Sequence, residues 1–170
     1  MKKLLLAFTL AGASVAFANP ALTPEQQHLL TFAHKVAMRD GHPPKYVQGI
    51  LLTESDAGMN PTMNKKKKYF GVGQIKLVAA KEVLETYPYL EKKYSVKTDS
   101  AIVRALKTNP YFSTEVLSKY LVIIEERYGH TGNRLLEAYN QGPVAVKRAT
   151  SFPYVIAMRK KLKQYGPLPS

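Results

Sequence analysis

The spacing of apolar residues along most of this chain is typical of helices that pack one face against a core. Leu29, Leu30 and Ala33 begin one such stripe, which continues at helical spacing to Ala37. A capping box beginning at Thr23, several prolines at first helical positions and glycines at helix ends mark the boundaries. The predicted helices are residues 24–40, 44–55, 75–85, 99–107, 110–128, 131–141 and 153–164.

No segment long enough to form a strand of several residues shows the alternation of apolar and polar residues that marks a half-buried strand. Asn60-Pro61 and the glycines that follow interrupt the helical pattern. We therefore predict one mainly α domain, whose β structure is limited to a small hairpin near residues 60–73.

The first eighteen residues have the three parts of a secretory signal peptide. Lys2 and Lys3 form the basic start, residues 4–15 are mostly apolar, and residues 16–18 form a small-x-small cleavage site. The apolar run is too short to span a bilayer, and no later run reaches membrane length. The alternative is an N-terminal helix of the fold itself. We predict cleavage after Ala18, a domain of residues 19–170, and a periplasmic or secreted protein.

The amino-acid composition excludes some kinds of functional site but does not identify the substrate. The chain has no cysteine, which excludes disulfides and thiolate sites, and its four histidines lack metal-binding spacing. We therefore expect no metal and no cofactor. The formal net charge of +13 predicts an anionic partner. Peptidoglycan, wall teichoic polymers, lipid headgroups and DNA all satisfy that condition.

Glu54 is the acid whose position suggests catalysis. On the second predicted helix it continues the apolar stripe of Val47, Ile50 and Leu51. Burial would raise the pKa of its carboxyl group, as a general acid at a glycosidic oxygen requires. Asp56, two residues on, would face another side of a continuing helix. The alternative is that the helix end frays and Glu54 is solvated or paired with a lysine.

Two later segments carry polar groups suited to sugar binding. Gly71 and Gly73 would let the backbone approach a ligand, and Gln74 offers a two-sided amide at a helix start. This segment is also an ordinary glycine turn in the alternative interpretation. On the helix of residues 131–141, Tyr139 is expected to face inward with a hydroxyl that needs a partner. The alternative there is a core tyrosine followed by Asn140 as a helix C-cap.

Taken together, residues 51–55 (Leu-Leu-Thr-Glu-Ser), 70–76 (Phe-Gly-Val-Gly-Gln-Ile-Lys) and 138–143 (Ala-Tyr-Asn-Gln-Gly-Pro) resemble the motifs of the lytic transglycosylase family. The resemblance spans roughly residues 44–145 and implies a lysozyme-like fold. It implies cleavage of the MurNAc-β-1,4-GlcNAc bond of peptidoglycan with formation of 1,6-anhydromuramic ends. It also implies that Glu54 acts first as acid and then as base.

The resemblance assigns supporting roles as well. It implies that Ser55 orients the catalytic glutamate, that Tyr139 forms a hydrogen bond near it, and that Gln74 and Asn140 contact the saccharide. Where the family usually has Gly-Leu-Met-Gln, this chain has Gly71-Val72-Gly73-Gln74, which removes an apolar side chain from the cleft. Gln141 replaces a second alanine at an expected exposed position.

Other interpretations of the whole chain stay open. A hydrolysing muramidase on the same fold and a catalytically weak cationic wall-binding protein are the rivals, while nucleic acid is not an expected partner because no recognised binding module is present. Lys65, Lys66, Lys67 and Lys68 form either a solvated loop or a contact with peptide carboxylates or anionic wall polymers. A secretion or conjugation apparatus is a further candidate partner.

Overall fold

The computed structural model describes residues 20–59 and 68–170. The predicted signal peptide of residues 1–18, and Lys65, Lys66 and Lys67 of the lysine run, lie outside the described residues. The helices are α1 (Pro24–Arg39), α2 (Pro44–Ser55), α3 (Leu77–Thr86), α4 (Pro88–Tyr94), α5 (Asp99–Thr108), α6 (Pro110–Tyr128), α7 (Gly132–Gln141) and α8 (Pro153–Tyr165). Two short strands, β1 (Tyr69–Phe70) and β2 (Ile75–Lys76), complete the elements.

The mainly α architecture with a small hairpin is confirmed. The strands pair antiparallel, with Tyr69 opposite Lys76 and Phe70 opposite Ile75, so the hairpin extends beyond the predicted position near residues 60–73. The predicted start of the third helix at Ile75 is wrong. Helix α3 begins at Leu77, because Ile75 belongs to β2 and pairs with β1, and Gln74 lies in the turn before β2.

A helix that the sequence analysis did not predict, α4, follows α3 directly. Pro88 suits the end of the preceding helix, but it occupies the first position of α4. Proline fits there because the first helical N–H has no intrahelical partner to lose. The N-cap of α5 is Thr98, whose hydroxyl accepts a hydrogen bond from the Ala101 N–H, and Asp99 is the first helical residue.

Helices α2 and α6 form the centre of the core. Val47, Ile50, Leu51 and Leu52 of α2 are completely buried, as are Phe112, Val116, Leu117, Leu121 and Ile124 of α6. Helix α2 packs against α1, α6 and α8, and α6 packs against α1, α3, α5 and α7. Since α2 is enclosed in this way, a polar side chain near its end is held in a largely apolar environment.

Within residues 20–59 and 68–170, none of the helices combines the length and the apolar character that crossing a membrane requires.

Candidate active site

Glu54 lies in the last turn of α2, which continues without fraying to Ser55. Its side chain is partly buried, and the apolar stripe below it is fully buried. None of the described basic residues forms an ion pair with Glu54; Lys161 instead pairs with Asp56, the C-cap of the helix. Asp56 has left-handed backbone geometry (φ 50°) and contacts α8. The two neighbouring acids therefore lie in different surroundings.

The pKa of Glu54 is raised, and burial is the main cause. The hydroxyl of Tyr154, which lies beside the carboxyl group, favours the charged form and offsets part of that rise. Conversely, burial and then the negative charge of Glu54 hold the pKa values of Tyr139 and Tyr154 well above the ordinary tyrosine value. Both tyrosines thus stay neutral near the acid, and the Tyr154 hydroxyl is the one that can donate a hydrogen bond to it.

Tyr154 is a site residue that the sequence analysis missed. Its side chain is buried, and its hydroxyl forms no hydrogen bond of normal geometry with any described residue. A buried hydroxyl without a partner carries a free-energy cost, and such groups often mark places where a ligand or water binds. Tyr154 is in the first turn of α8, far from Glu54 in sequence, so no local signal connected the two residues.

Ser55 fastens the end of α2 to the glycine segment. The buried hydroxyl lies 2.8 Å from the Val72 carbonyl oxygen and 3.1 Å from that of Leu51, either of which can accept its hydrogen. It also accepts a hydrogen bond from the Gly58 N–H at 3.0 Å. These contacts fix the backbone on both sides of Glu54, which supports an orienting role for Ser55.

The two glycines of residues 71–74 are buried, and protein atoms surround both. A Cβ at Gly71 (φ 70°) would overlap the Leu106 carbonyl oxygen of α5. A Cβ at Gly73 would lie 2.9 Å from Leu117 Cδ1 and 3.2 Å from the Tyr139 hydroxyl. Packing therefore accounts for glycine at both positions, and backbone contact with substrate there stays a prediction.

Gln74 has left-handed backbone geometry (φ 51°), which is uncommon for a residue other than glycine. Its N–H and its side-chain amide both donate to the Gly71 carbonyl oxygen, at 3.0 and 2.9 Å. No described residue donates to its side-chain carbonyl oxygen. The strained conformation therefore presents a fixed hydrogen-bond acceptor beside β2.

Tyr139 and Asn140 occupy adjacent positions near the end of α7 but have different environments. The Tyr139 hydroxyl donates to the Gly73 carbonyl oxygen at 2.5 Å, rather than to Glu54, and its ring lies edge-on to Tyr120. Asn140 is exposed and lies within the helix; the C-cap is Gly142. The alternative that made Asn140 a helix cap is therefore wrong, while its contact with a saccharide stays a prediction.

A groove brings several of these side chains together, and we call it the α3–α7 groove. Its lining includes Tyr69, Gln74, Lys76, Tyr120, Tyr139 and Asn140. Gln74 and Asn140, more than sixty residues apart, thus meet at one surface. Tyr139 connects this groove with the acid, because its hydroxyl is buried close enough to Glu54 to respond to the charge there.

Glu137 is the second residue that the sequence analysis missed. It is completely buried, and its carboxylate accepts hydrogen bonds from the N–H of Tyr154 at 3.1 Å and of Val155 at 3.4 Å. The side-chain amide of Gln141 donates to it at 2.5 Å. These bonds satisfy the first N–H groups of α8 and place a negative charge at its positive end. Glu137 thereby holds the helix turn that carries Tyr154.

Among the described residues, no three His, Asp or Glu side chains lie close enough together to hold a metal ion.

These features define a mainly helical, lysozyme-like domain in which the partly buried Glu54 lies near a polar groove. The chain belongs to the transglycosylase SLT domain family, whose model matches residues 32–155. That match includes Glu54, Ser55, Gln74, Tyr139 and Asn140, and it ends just beyond Tyr154. The resemblance to the lytic transglycosylases is confirmed at the level of the family, which acts on peptidoglycan outside the cytoplasm. Comparison with curated proteins and with solved structures gave no match.

Proposed function

We propose that this protein is a peptidoglycan lytic transglycosylase that cleaves the MurNAc-β-1,4-GlcNAc bond and leaves 1,6-anhydromuramic ends. The observation that carries the proposal is that no other carboxylate influences the pKa of Glu54. All twelve Asp and Glu residues of the sequence lie within the described segments. The influences on the pKa of Glu54 are burial and the Tyr154 hydroxyl, and no second acid is among them.

Ordinary glycoside hydrolysis uses two carboxyl groups across the scissile bond, at most about 10 Å apart. A second carboxylate within about 4–6 Å would raise the pKa of the first, and no acid has that effect on Glu54. Asp56, the nearest acid in sequence, is paired with Lys161 and lies 3.4 Å from the Tyr165 hydroxyl on α8. An activated water on the opposite side of the sugar therefore has no evident base.

A single carboxylate can support the intramolecular reaction. Glu54 gives its proton to the glycosidic oxygen as the bond from C1 of MurNAc breaks. The resulting carboxylate then takes the proton of the 6-hydroxyl of the same sugar, while O6 bonds to C1. The hydroxyl is already held beside C1, and such proximity is worth a large effective concentration. No water is consumed, and Glu54 ends in its starting protonation state.

The remaining site residues fit supporting roles in this reaction. Burial keeps Glu54 protonated at higher pH than an exposed glutamate, and Ser55 fixes its backbone. The neutral hydroxyl of Tyr154, which has no partner of normal geometry among the described residues, can stabilise the carboxylate once the proton has left, while the Tyr139 hydroxyl stays bound to the Gly73 carbonyl oxygen. Gln74 and Asn140 offer amides to sugar hydroxyl and acetamido groups in the α3–α7 groove.

Mass spectrometry of the soluble products from purified peptidoglycan, digested in ¹⁸O-water, tests the proposal. We expect muropeptides lighter by one water than hydrolytic products, without ¹⁸O and resistant to borohydride reduction. Reducible muramic ends carrying ¹⁸O would show a hydrolysing muramidase instead. Binding of the wall without soluble products would show a cationic wall-binding protein. Glu54→Gln provides the control for contaminating enzymes.

We also propose that residues 1–18 form a cleaved signal peptide that directs the domain of residues 19–170 to the periplasm or the medium. The export elements in the sequence and the family's action on the cell wall support this proposal.

A further inference from the structure

Lys76 is a basic residue in the α3–α7 groove to which the reaction above gives no role. It lies on β2 directly opposite Tyr69 of β1, and its Nζ is 5.2 Å from the centre of the Tyr69 ring. Both side chains line the groove together with Gln74 and Asn140. A cation over an aromatic face is held by the ring's negative potential, so Tyr69 restrains the ammonium group at the groove wall.

The positive charge of Lys76 is not neutralised by an acidic residue among the described residues. Every Asp and Glu of the sequence lies in residues 20–59 or 68–170, and none of them forms an ion pair with Lys76. The lining of the groove contains no acidic residue. Lys81, on the adjoining α3, is different because it pairs with Asp99 at 3.0 Å. Lys76 thus presents a restrained positive charge next to two amides.

We propose that Lys76 binds a carboxylate of the substrate and makes the groove selective for muramyl glycans over neutral ones. This inference rests on the proposed function, since it takes the groove to hold the glycan strand. Amides are sufficient for neutral N-acetylated sugars, but they contribute little to the recognition of a negative charge. Peptidoglycan offers carboxylates in two places: on the stem peptide, or on the lactyl group where the peptide has been removed. Chitin oligomers have neither.

Titration calorimetry in a Glu54→Gln background tests the proposal without turnover. The ligands are a peptide-bearing muramyl tetrasaccharide, the same glycan stripped of its peptides, and chitotetraose. We expect Lys76→Gln to weaken binding of at least one of the two muramyl ligands about two- to fivefold, the range of an exposed ion pair. Binding of chitotetraose should not change, and Lys76→Arg should restore most of the loss. Lys81→Gln is the matched control and should leave all three affinities unchanged.

The ligand series also identifies the source of the carboxylate. A loss confined to the peptide-bearing ligand assigns the contact to the stem peptide, whereas a loss confined to the stripped glycan assigns it to the lactyl group, whose carboxyl is free only there. Losses on both ligands mean that Lys76 binds either carboxylate. In each case the loss should shrink at about 1 M salt, where the Debye length falls to about 3 Å.

Two results would overturn the proposal. Equal weakening of chitotetraose would mean that Lys76 contacts neutral sugar or supports the hairpin, and unchanged affinity for both muramyl ligands would mean that it contacts no carboxylate. Failure of the proposed function is a separate result, because it is measured as the absence of anhydro products from the parent enzyme. Selective muramyl binding without such products would leave Lys76 in its role and refute the transglycosylase reaction.

Discussion

Replacing the buried Glu137 with alanine should destabilise the fold although this residue does not touch the proposed substrate site. The change removes the acceptor for the N–H groups of Tyr154 and Val155 at the start of α8. Tyr154 is 8% exposed and Val155 is 1% exposed, so water has little access to the abandoned donors. The first turn of α8 would also lose the negative charge that complements its dipole.

The expected magnitude follows from these contacts. A buried donor left without a partner costs about 1–3 kcal/mol, and the 3.4 Å bond to Val155 is the weaker of the two. We therefore expect the free energy of unfolding to fall by about 2–5 kcal/mol in Glu137→Ala. For a domain of this size each kcal/mol lowers the melting temperature by about 2–4 °C. Glu137→Gln keeps one acceptor oxygen and should lose about 1 kcal/mol.

Thermal and urea unfolding followed by circular dichroism measure these differences. Glu126→Ala is the control, because Glu126 is exposed on α6 and its removal should change the free energy of unfolding by less than about 0.5 kcal/mol. Activity of Glu137→Gln, measured where the protein is folded, tests the link to Tyr154: kcat should fall more than KM rises. If Glu137→Ala unfolds like the control, the carboxylate does not hold α8 and the reasoning is refuted.

The remaining predictions concern the site and the N-terminus. Glu54→Gln should lower turnover of peptidoglycan about 10²- to 10⁴-fold. The same substitution should raise the melting temperature at neutral pH, because a carboxyl group whose pKa is higher in the folded state makes the fold less stable as the pH increases. The difference in melting temperature between Glu54→Gln and the parent should therefore shrink toward about pH 4. A difference that stays the same at every pH would contradict this prediction. Tyr139→Phe should reduce kcat more than glycan affinity, whereas Asn140→Ala should weaken binding of a chitooligosaccharide in calorimetry; unchanged affinity would remove Asn140 from the saccharide site. As the pH rises, kcat/KM should fall at a pH above the usual pKa of a glutamate. Tyr154→Phe should move this fall to a still higher pH, because the Tyr154 hydroxyl favours the charged form of Glu54. Finally, the intact mass of the exported protein should correspond to a chain beginning at Asn19, and a mass that includes residues 1–18 would refute cleavage.

Helix positions were largely predictable because the signals that determine them are local. The Thr23 capping box begins α1 as predicted, and Pro110 and Gly129 bound α6 as predicted. The errors occurred where one residue type supports two structures. Pro88 fits both the end of one helix and the start of the next. Ile75 is apolar at a spacing that suits α3, yet its pairing with Phe70 places it in a strand.

A residue of the candidate site was predictable only where the residues next to it in the sequence indicate its environment. The stripe of Val47, Ile50 and Leu51 indicated that Glu54 sits at the edge of a buried face, and the structure places it there with a raised pKa. The same reasoning located Tyr139 on an inward-facing position but could not identify its acceptor. The Gly73 carbonyl that receives its hydrogen lies 66 residues away in sequence.

Tyr154 and Glu137 show why the rest required the fold. In the sequence, Tyr154 is one more aromatic residue near a helix start, and Glu137 is a charged residue on an otherwise apolar face. The fold makes them interdependent: Glu137 satisfies the first N–H groups of α8, and α8 then carries the Tyr154 hydroxyl to Glu54. The environment of the proposed catalytic acid therefore depends on a second, structural carboxylate that never reaches the groove. A substitution at Glu137 should consequently alter the protonation of Glu54 as well as the stability of the domain.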